Sequence, residues 1–309
     1  MNSTEADVIE RCPFEILGFA PASAPGRGQS WLSTYGDQVK WIPSRFSESN
    51  YHGFSASDPD RLTELTELLG FSAFMMATRG GWGCLRLLHK LPFHRNWHGV
   101  LMGFSDLTAL LNTLPFYTKV ACFHGPMYEY PAQICTGGFL AKSFEDFFLR
   151  KQSQTTGRFK GRIRGQTKLK GPLIGGNLSV FIALAGTPFM PDLKGKVLFL
   201  EEIKEPTYRV DRMLTQLSYL PGFEALNGLV IGSFSQCNPS PQESGDFCMQ
   251  ELLDDFYCRT QIPMLEGAPI GHVDDFLILP MMGDSHWLED SGVIHFTLSL
   301  PNCSGEADE

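Results

Sequence analysis

Several things scarce in the 309-residue chain narrow its class before any motif is read. It has no long apolar run. The most hydrophobic window, residues 173–190, is interrupted by Gly175, Gly176, Asn177, Ser179, Thr187 and Pro188, too polar and too kinked to cross a bilayer. The first residues carry Glu5, Asp7 and Glu10 against Arg11 alone, unlike a secretory leader, which opens positively and continues apolar. A cytoplasmic protein with no membrane partner is expected. Basic residues are in deficit: 25 Lys+Arg face 34 Asp+Glu, a formal charge of −9 and an isoelectric point near 5.4. That is the wrong sign for a binder of phosphate backbones, so nucleic acid is not an expected partner. No CxxC occurs among the cysteines at 12, 84, 122, 135, 237, 248, 258 and 303, which read as reduced thiols used as small apolar residues. No GK[ST] is present, which leaves nucleotide binding weakly supported. No repeat at a period of roughly 20–50 residues is visible, which removes solenoids and propellers.

What remains is ordinary globular material, 43% hydrophobic and 19% charged, enough for a core without disulfide staples. The first half alternates strand-like and helix-like segments. Residues 15–21, 71–77 and 100–104 are short apolar runs. Between and after them, 59–69 (capped by Ser57 or Asp58), 84–91 and 107–114 show helical spacing. That alternation predicts an α/β protein: a Rossmann-like parallel-sheet amino-terminal domain, here residues 1–148, with helices on its faces. Residues 149–170 collect Lys151, Arg158, Lys160, Arg162, Arg164, Lys168 and Lys170 with few large apolar residues, the composition of a solvated linker. From 171 to 309 a smaller, β-rich α/β carboxyl-terminal domain is expected. Strand-like pieces fall at 178–184, 196–200, 229–234 and 276–280, a helix starts at Thr207, and the tail 302–309 is polar and frayed.

Four places carry chemistry-bearing side chains. Ser105 follows an apolar run and precedes a helix, the strand-turn-helix setting that exposes a nucleophilic hydroxyl and aims the next amide, that of Asp106, at a developing oxyanion. The sequence is GxSD rather than GxSxG, and Ser before a helix is most commonly an N-cap; on local pattern alone the cap is favoured. The loop 79–83, Arg-Gly-Gly-Trp-Gly, leaves backbone amides exposed, those of Gly80 and Gly81 among them. Glu201 and Glu202 end an apolar strand, and nothing local separates them. His272 sits in a glycine-flanked loop, 271–275. His94 and His98, four apart, lack the third ligand a metal site requires.

Taken in order, FAPASAP (19–25), ATRGGWGCLRLL (77–88), GFSDLTALLN (103–112), FHGPM (123–127), GGNL (175–178), GKVLFLEEIKEPTYRVDRMLTQL (195–217) and GHVDD (271–275) resemble the LD-carboxypeptidase family. These serine peptidases act in murein recycling and include the microcin immunity peptidases. The resemblance implies Ser105 as nucleophile, His272 as general base and Glu201 as the residue orienting it. It also implies an oxyanion hole from Asp106 N–H with Gly80 or Gly81 N–H, no cofactor and no metal. Trp82 stands where the family usually has tyrosine. The substrate implied is a small peptide, the murein tetrapeptide, cleaved at the L,D bond that releases D-Ala; homodimers are expected. The alternatives are a microcin-immunity-type peptidase acting on a peptidyl-nucleotide, a catalytically silent small-molecule binder in which Ser105 only caps a helix, and a metal-dependent amidase using the histidines.

Overall fold

A computed structural model describes residues 13–26, 30–93, 96–130, 137–239 and 247–301. The amino-terminal acidic segment, Cys12, His94, Cys135, Cys303 and the tail 302–309 lie outside the described residues.

The first half supplies β1 (Phe14–Phe19), β2 (Val39–Ile42), β3 (Phe74–Ala77), β4 (Val100–Gly103) and β5 (Ala121–His124). The second supplies β6 (Gln154–Lys160), β7 (Arg162–Arg164), β8 (Lys168–Asn177), β9 (Val197–Ile203), β10 (Gly228–Ser235), β11 (Met264–Glu266), β12 (Leu279–Pro280), β13 (Asp284–Asp290) and β14 (Val293–Ser299). Sheet one runs β12-β5-β4-β3-β1-β2, parallel except for β12. Its central strands are apolar on both faces, as helices packed above and below require: Met75, Met76, Leu101 and Met102 are fully buried. Sheet two runs β6-β14-β13-β8-β9-β10-β11-β7. In it β8 serves two partners, its first half antiparallel to β13 and its second half parallel to β9.

Helix Asp58–Gly70 forms as its sequence dictates. Ser57 caps it by accepting the Asp60 amide, Pro59 sits in its first turn, and Asp58 and Asp60 complement the dipole there. Leu65 and Leu69 face the core, and so do two charged residues, Arg61 and Glu64. Glu64 accepts the Ala20 amide at 3.0 Å and the Ser44 hydroxyl at 2.6 Å, so this carboxylate holds the loop after β1.

The segment 149–170 is not a bare linker. Strand β6 pairs along its length with β14, and β7 pairs antiparallel with β11. Its basic residues occupy alternate positions: in β6, Thr155 is buried while Arg158 and Lys160 are exposed. Arg162 and Arg164 pair with Glu266, and Arg164 also with Asp254. Residues 178–182 form a helix rather than a strand, because Asn177 caps it by accepting the Val180 amide at 3.3 Å. The expected helix at 107–114 breaks into a 3-10 turn, Ser105–Leu107, and two short helices. The run at 276–280 pairs only at 279–280. The described cysteines, Cys84, Cys122, Cys237, Cys248 and Cys258, are all free.

The two lobes are joined through their cores. One apolar cluster extends from Ile16 and Leu101 in the first lobe to Phe199, Ile278 and Leu298 in the second. Between them, Asn112 reaches across to Gly175, donating to its carbonyl at 2.7 Å and accepting from its amide at 2.9 Å. Thr108 Oγ1 accepts the Asn177 amide at 3.0 Å. At Gly176 a Cβ would come within 2.4 Å of that hydroxyl, so only glycine lets the lobes approach this closely.

Candidate active site

Ser105 lies at the carboxyl end of β4 with φ +60°, a conformation a non-glycine residue adopts only when its surroundings impose it. It is not the N-cap. Phe104 occupies that position with no side-chain capping bond, and Ser105 begins the 3-10 turn itself. Its Oγ makes no hydrogen bond among the described residues, so the hydroxyl is presented rather than used in local structure. This is the sharp turn that the elbow reading requires.

Beside it runs the glycine loop from the end of β3. A Cβ on Gly80 would lie 3.3 Å from Ser105 Oγ, which places the loop backbone against the serine. The Gly80 carbonyl accepts the Ser23 amide at 3.2 Å. Across a trans peptide, the Gly81 N–H then points away from Ser23. Neither the Gly80 nor the Gly81 amide donates to an acceptor among the described residues. The Asp106 amide, in the first turn after Ser105, is likewise left without an intrahelical partner.

The two carboxylates that sequence could not separate have different surroundings. Glu201 is fully buried, and its Oε2 lies 2.7 Å from His272 Nδ1. Its other oxygen is buried without a partner. Glu202 turns the opposite way, accepting from Asn177 Nδ2 and from the amides of Ser179 and Ile203, each at 2.8 Å. Burial pushes the Glu202 carboxyl above its ordinary value, against the pull of those bonds. It is a structural clasp, and Glu201 is the one that meets the imidazole.

His272 is held from several sides. Ser235 Oγ donates to its carbonyl at 2.9 Å, and Tyr130 of the first lobe donates to the carbonyl of Val273. Asp275 accepts the amides of Phe139 and Leu140 at 3.0 and 2.9 Å, anchoring the loop to helix Phe139–Phe144. The imidazole packs on Phe104, the neighbour of Ser105, at 4.8 Å between ring centroids. The structure therefore joins Glu201 and His272 directly and brings His272 up to the Ser105 turn. No hydrogen bond links Ser105 Oγ to His272 in this state. Bonds between nucleophile and base are often loose without substrate and tighten in the complex.

Buried beneath the turn is His124, fully enclosed by Phe104 and Phe199, with both ring nitrogens unpartnered. Burial drives its pKa down to about 3, so it stays neutral. Among the described residues no group of three or more His, Cys, Asp or Glu could hold a metal ion, and no helix is long and apolar enough to cross a membrane. Of the supporting residues, Asp275 lay inside a motif already quoted. Asn112 likewise ended a quoted motif, though its role could not be read there, and Tyr130 gave no sequence signal, because their roles depend on which carbonyl the fold brings opposite them.

Models of the LD-carboxypeptidase N-terminal and C-terminal domains match residues 18–125 and 170–285. The probable murein peptide carboxypeptidase of Bacillus subtilis (strain 168) is 30% identical over 280 residues, covering 85% of each chain. The microcin C7 self-immunity protein MccF of Escherichia coli is 23% identical over 312 residues, 86% of this chain and 88% of that one. Among solved structures, the muramoyltetrapeptide carboxypeptidase from Oxalobacter formigenes superposes with a TM-score of 0.80 at 26% identity, covering 93% of this chain and 99% of the other.

Proposed function

The chain belongs to the LD-carboxypeptidase family, and from that premise we propose that it is a serine carboxypeptidase releasing terminal D-Ala from murein tetrapeptide through an acyl-enzyme. The observation that carries the reading is the 2.7 Å contact of buried Glu201 with His272, whose ring packs on Phe104 next to the strained Ser105 turn.

In this mechanism Ser105 Oγ attacks the carbonyl of the L,D bond while His272 Nε2 takes its proton. Glu201 on Nδ1 fixes the tautomer and offsets the charge of the imidazolium. The tetrahedral oxyanion is met by Asp106 N–H and by Gly81 N–H, which points away from Ser23. Losing one such donor typically costs about 3–4 kcal/mol of transition-state stabilisation. The intermediate collapses, D-Ala leaves with the proton from His272, and water activated by His272 hydrolyses the acyl-enzyme. The catalytic groups come from both lobes, so the site exists only at their seam.

The test is to incubate the protein and its Ser105→Ala variant with synthetic tetrapeptides ending in D-Ala or L-Ala. Release of D-Ala by the parent alone is expected. Release by both proteins would remove Ser105 from the nucleophile's role, and release by neither would remove the substrate.

A further inference from the structure

The Asp106 side chain is unusually committed for a residue whose backbone amide alone is needed. It is 3% exposed, and its Oδ2 accepts the Cys84 amide at 2.8 Å. Burial pushes its carboxyl up, while the amides of Cys84 and Gly83 and the charge of Arg61 pull against that. Arg61 lies directly under the loop: a Cβ on Gly83 would come within 2.5 Å of its Nη1.

The geometry of the sheet shows why a clasp is needed at this point. Strands β3 and β4 stay in register only as far as Met76 and Met102. Beyond that their ends diverge, one into the glycine loop and the other into the Ser105 turn. Gly81 and Gly83 take φ of +108° and +130°, so the loop has little stiffness of its own. On its far side Ser23 holds it, through its amide on Gly80 and its hydroxyl, 3.4 Å from the Trp82 amide. Toward Ser105, the Asp106 carboxylate ties loop to turn, through the Cys84 amide and with the Gly83 amide also directed at it.

We propose that Asp106 is a positioning residue whose carboxylate clamps the glycine loop to the Ser105 turn and so sets the separation of the two oxyanion donors. This rests on the reading of Ser105 as nucleophile. A donor misplaced by about 1 Å can cost on the order of a hundredfold in rate. The clamp acts on the transition state, since the ground-state carbonyl makes less demand on the two amides.

The experiment compares the parent with Asp106→Ala and Asp106→Asn. It measures kcat and KM for D-Ala release, affinity for a peptide aldehyde that mimics the tetrahedral adduct, and affinity for the uncleaved L-Ala peptide. We expect kcat and aldehyde affinity of the Ala variant to fall together by roughly 30- to 100-fold while L-Ala peptide affinity stays within about threefold, with Asn, which keeps one acceptor, in between. The bonded loop amides within residues 80–84, those of Trp82, Gly83 and Cys84, should exchange hydrogen faster in both variants. If kcat is retained, or if aldehyde and L-Ala peptide affinities fall equally, the clamp is overturned. If the Ala variant does not fold, the Asn variant carries the same comparison. A parent that releases no D-Ala would fail the serine-peptidase reading by itself. In that event unchanged exchange at residues 80–84 in folded Asp106→Asn would still overturn the clamp.

Discussion

Glu201 and His272 meet at 2.7 Å although 71 residues separate them. Gly271 makes the approach possible. At φ +103° it has no side chain, and a Cβ there would come 2.6 Å from Glu201 Cβ and 2.8 Å from the oxygen that contacts the ring. Gly271→Ala should therefore push the pair apart without touching Ser105. The expected result is a fall in kcat of about tenfold or more, with KM little changed, because orientation of the base matters to proton transfer and not to substrate docking. Steady-state kinetics on the D-Ala tetrapeptide decide it, and a variant with the parent's kcat would show that Gly271 spacing is irrelevant.

Glu201→Gln separates charge from shape. The amide fits the same buried space but cannot stabilise an imidazolium, and it favours the wrong tautomer of His272. A loss of roughly 10³- to 10⁴-fold in kcat is expected, on the scale found when a triad carboxylate becomes an amide. Glu202→Gln should behave differently. Glu202 accepts from three donors and lies off the reaction line, so its replacement should lower the melting temperature more than it lowers kcat. If the two variants exchange these outcomes, the assignment of Glu201 is reversed.

The alternation of strands and helices in the first lobe was legible in the chain, whereas the roles of Ser105, Glu201 and His272 came only from the resemblance of seven ordered motifs to the LD-carboxypeptidase family. Ser105 and Glu201 follow or end apolar runs, His272 sits in a glycine-flanked loop, and helix Asp58–Gly70 announces itself with Ser57 and Pro59. The misreadings have a common physical origin. Residues 178–182 are apolar enough for either period, and only the cap by Asn177 chose helix. The charges of 158–164 looked like linker because what makes these residues strand is backbone pairing with β14 and β11, partners too distant in sequence to be seen. Local pattern likewise favoured Ser105 as a cap. Its positive φ is a property of the fold and cannot be read from neighbouring residues.

The seam between lobes offers a third prediction. Asn112 is 1% exposed and satisfies both polar groups of Gly175. Asn112→Ala would strand a buried amide and carbonyl, costing about 2–4 kcal/mol at roughly 1–3 per unsatisfied group, offset in part by relaxation. Because Thr108 and Asn112 follow Ser105 on the same chain segment, kcat should fall as well. Thermal melts and D-Ala release measured on one preparation check both, and a variant with unchanged melting would show the seam is held elsewhere.

Metal dependence is tested simply. The proposed mechanism runs on Ser105, Glu201 and His272, so dialysis against a chelator should leave the rate within about twofold, as expected for a triad that needs no Lewis acid. Loss of activity restored by adding back a divalent ion would favour the amidase alternative.

Stability should respond to acid at a site remote from catalysis. Asp146 is 2% exposed and receives Lys142 Nζ, Arg150 Nη1 at 3.1 Å and Thr155 Oγ1 at 2.7 Å, tying the helical segment 139–149 to β6. Burial alone would raise its pKa. The bonds from Lys142 and Thr155, the Lys142 charge and the bond from Arg150 outweigh burial and hold the carboxyl below its ordinary 3.8. A carboxyl depressed in the folded state contributes stability that is fully present above the unfolded value and is lost as pH falls through the folded one. Asp146→Asn should thus destabilise the protein by about 1–2 kcal/mol at pH 7, the lower end reflecting the half-exposed Lys142 and Arg150. The gap between parent and variant should hold down to about pH 5 and shrink below about pH 4, where the unfolded chain's carboxyl begins to take up a proton that the folded one still refuses. Paired melts at pH 7, 5 and 3.5 measure it; a gap that stays constant to pH 3.5 would mean that the carboxylate's charge contributes nothing to the fold.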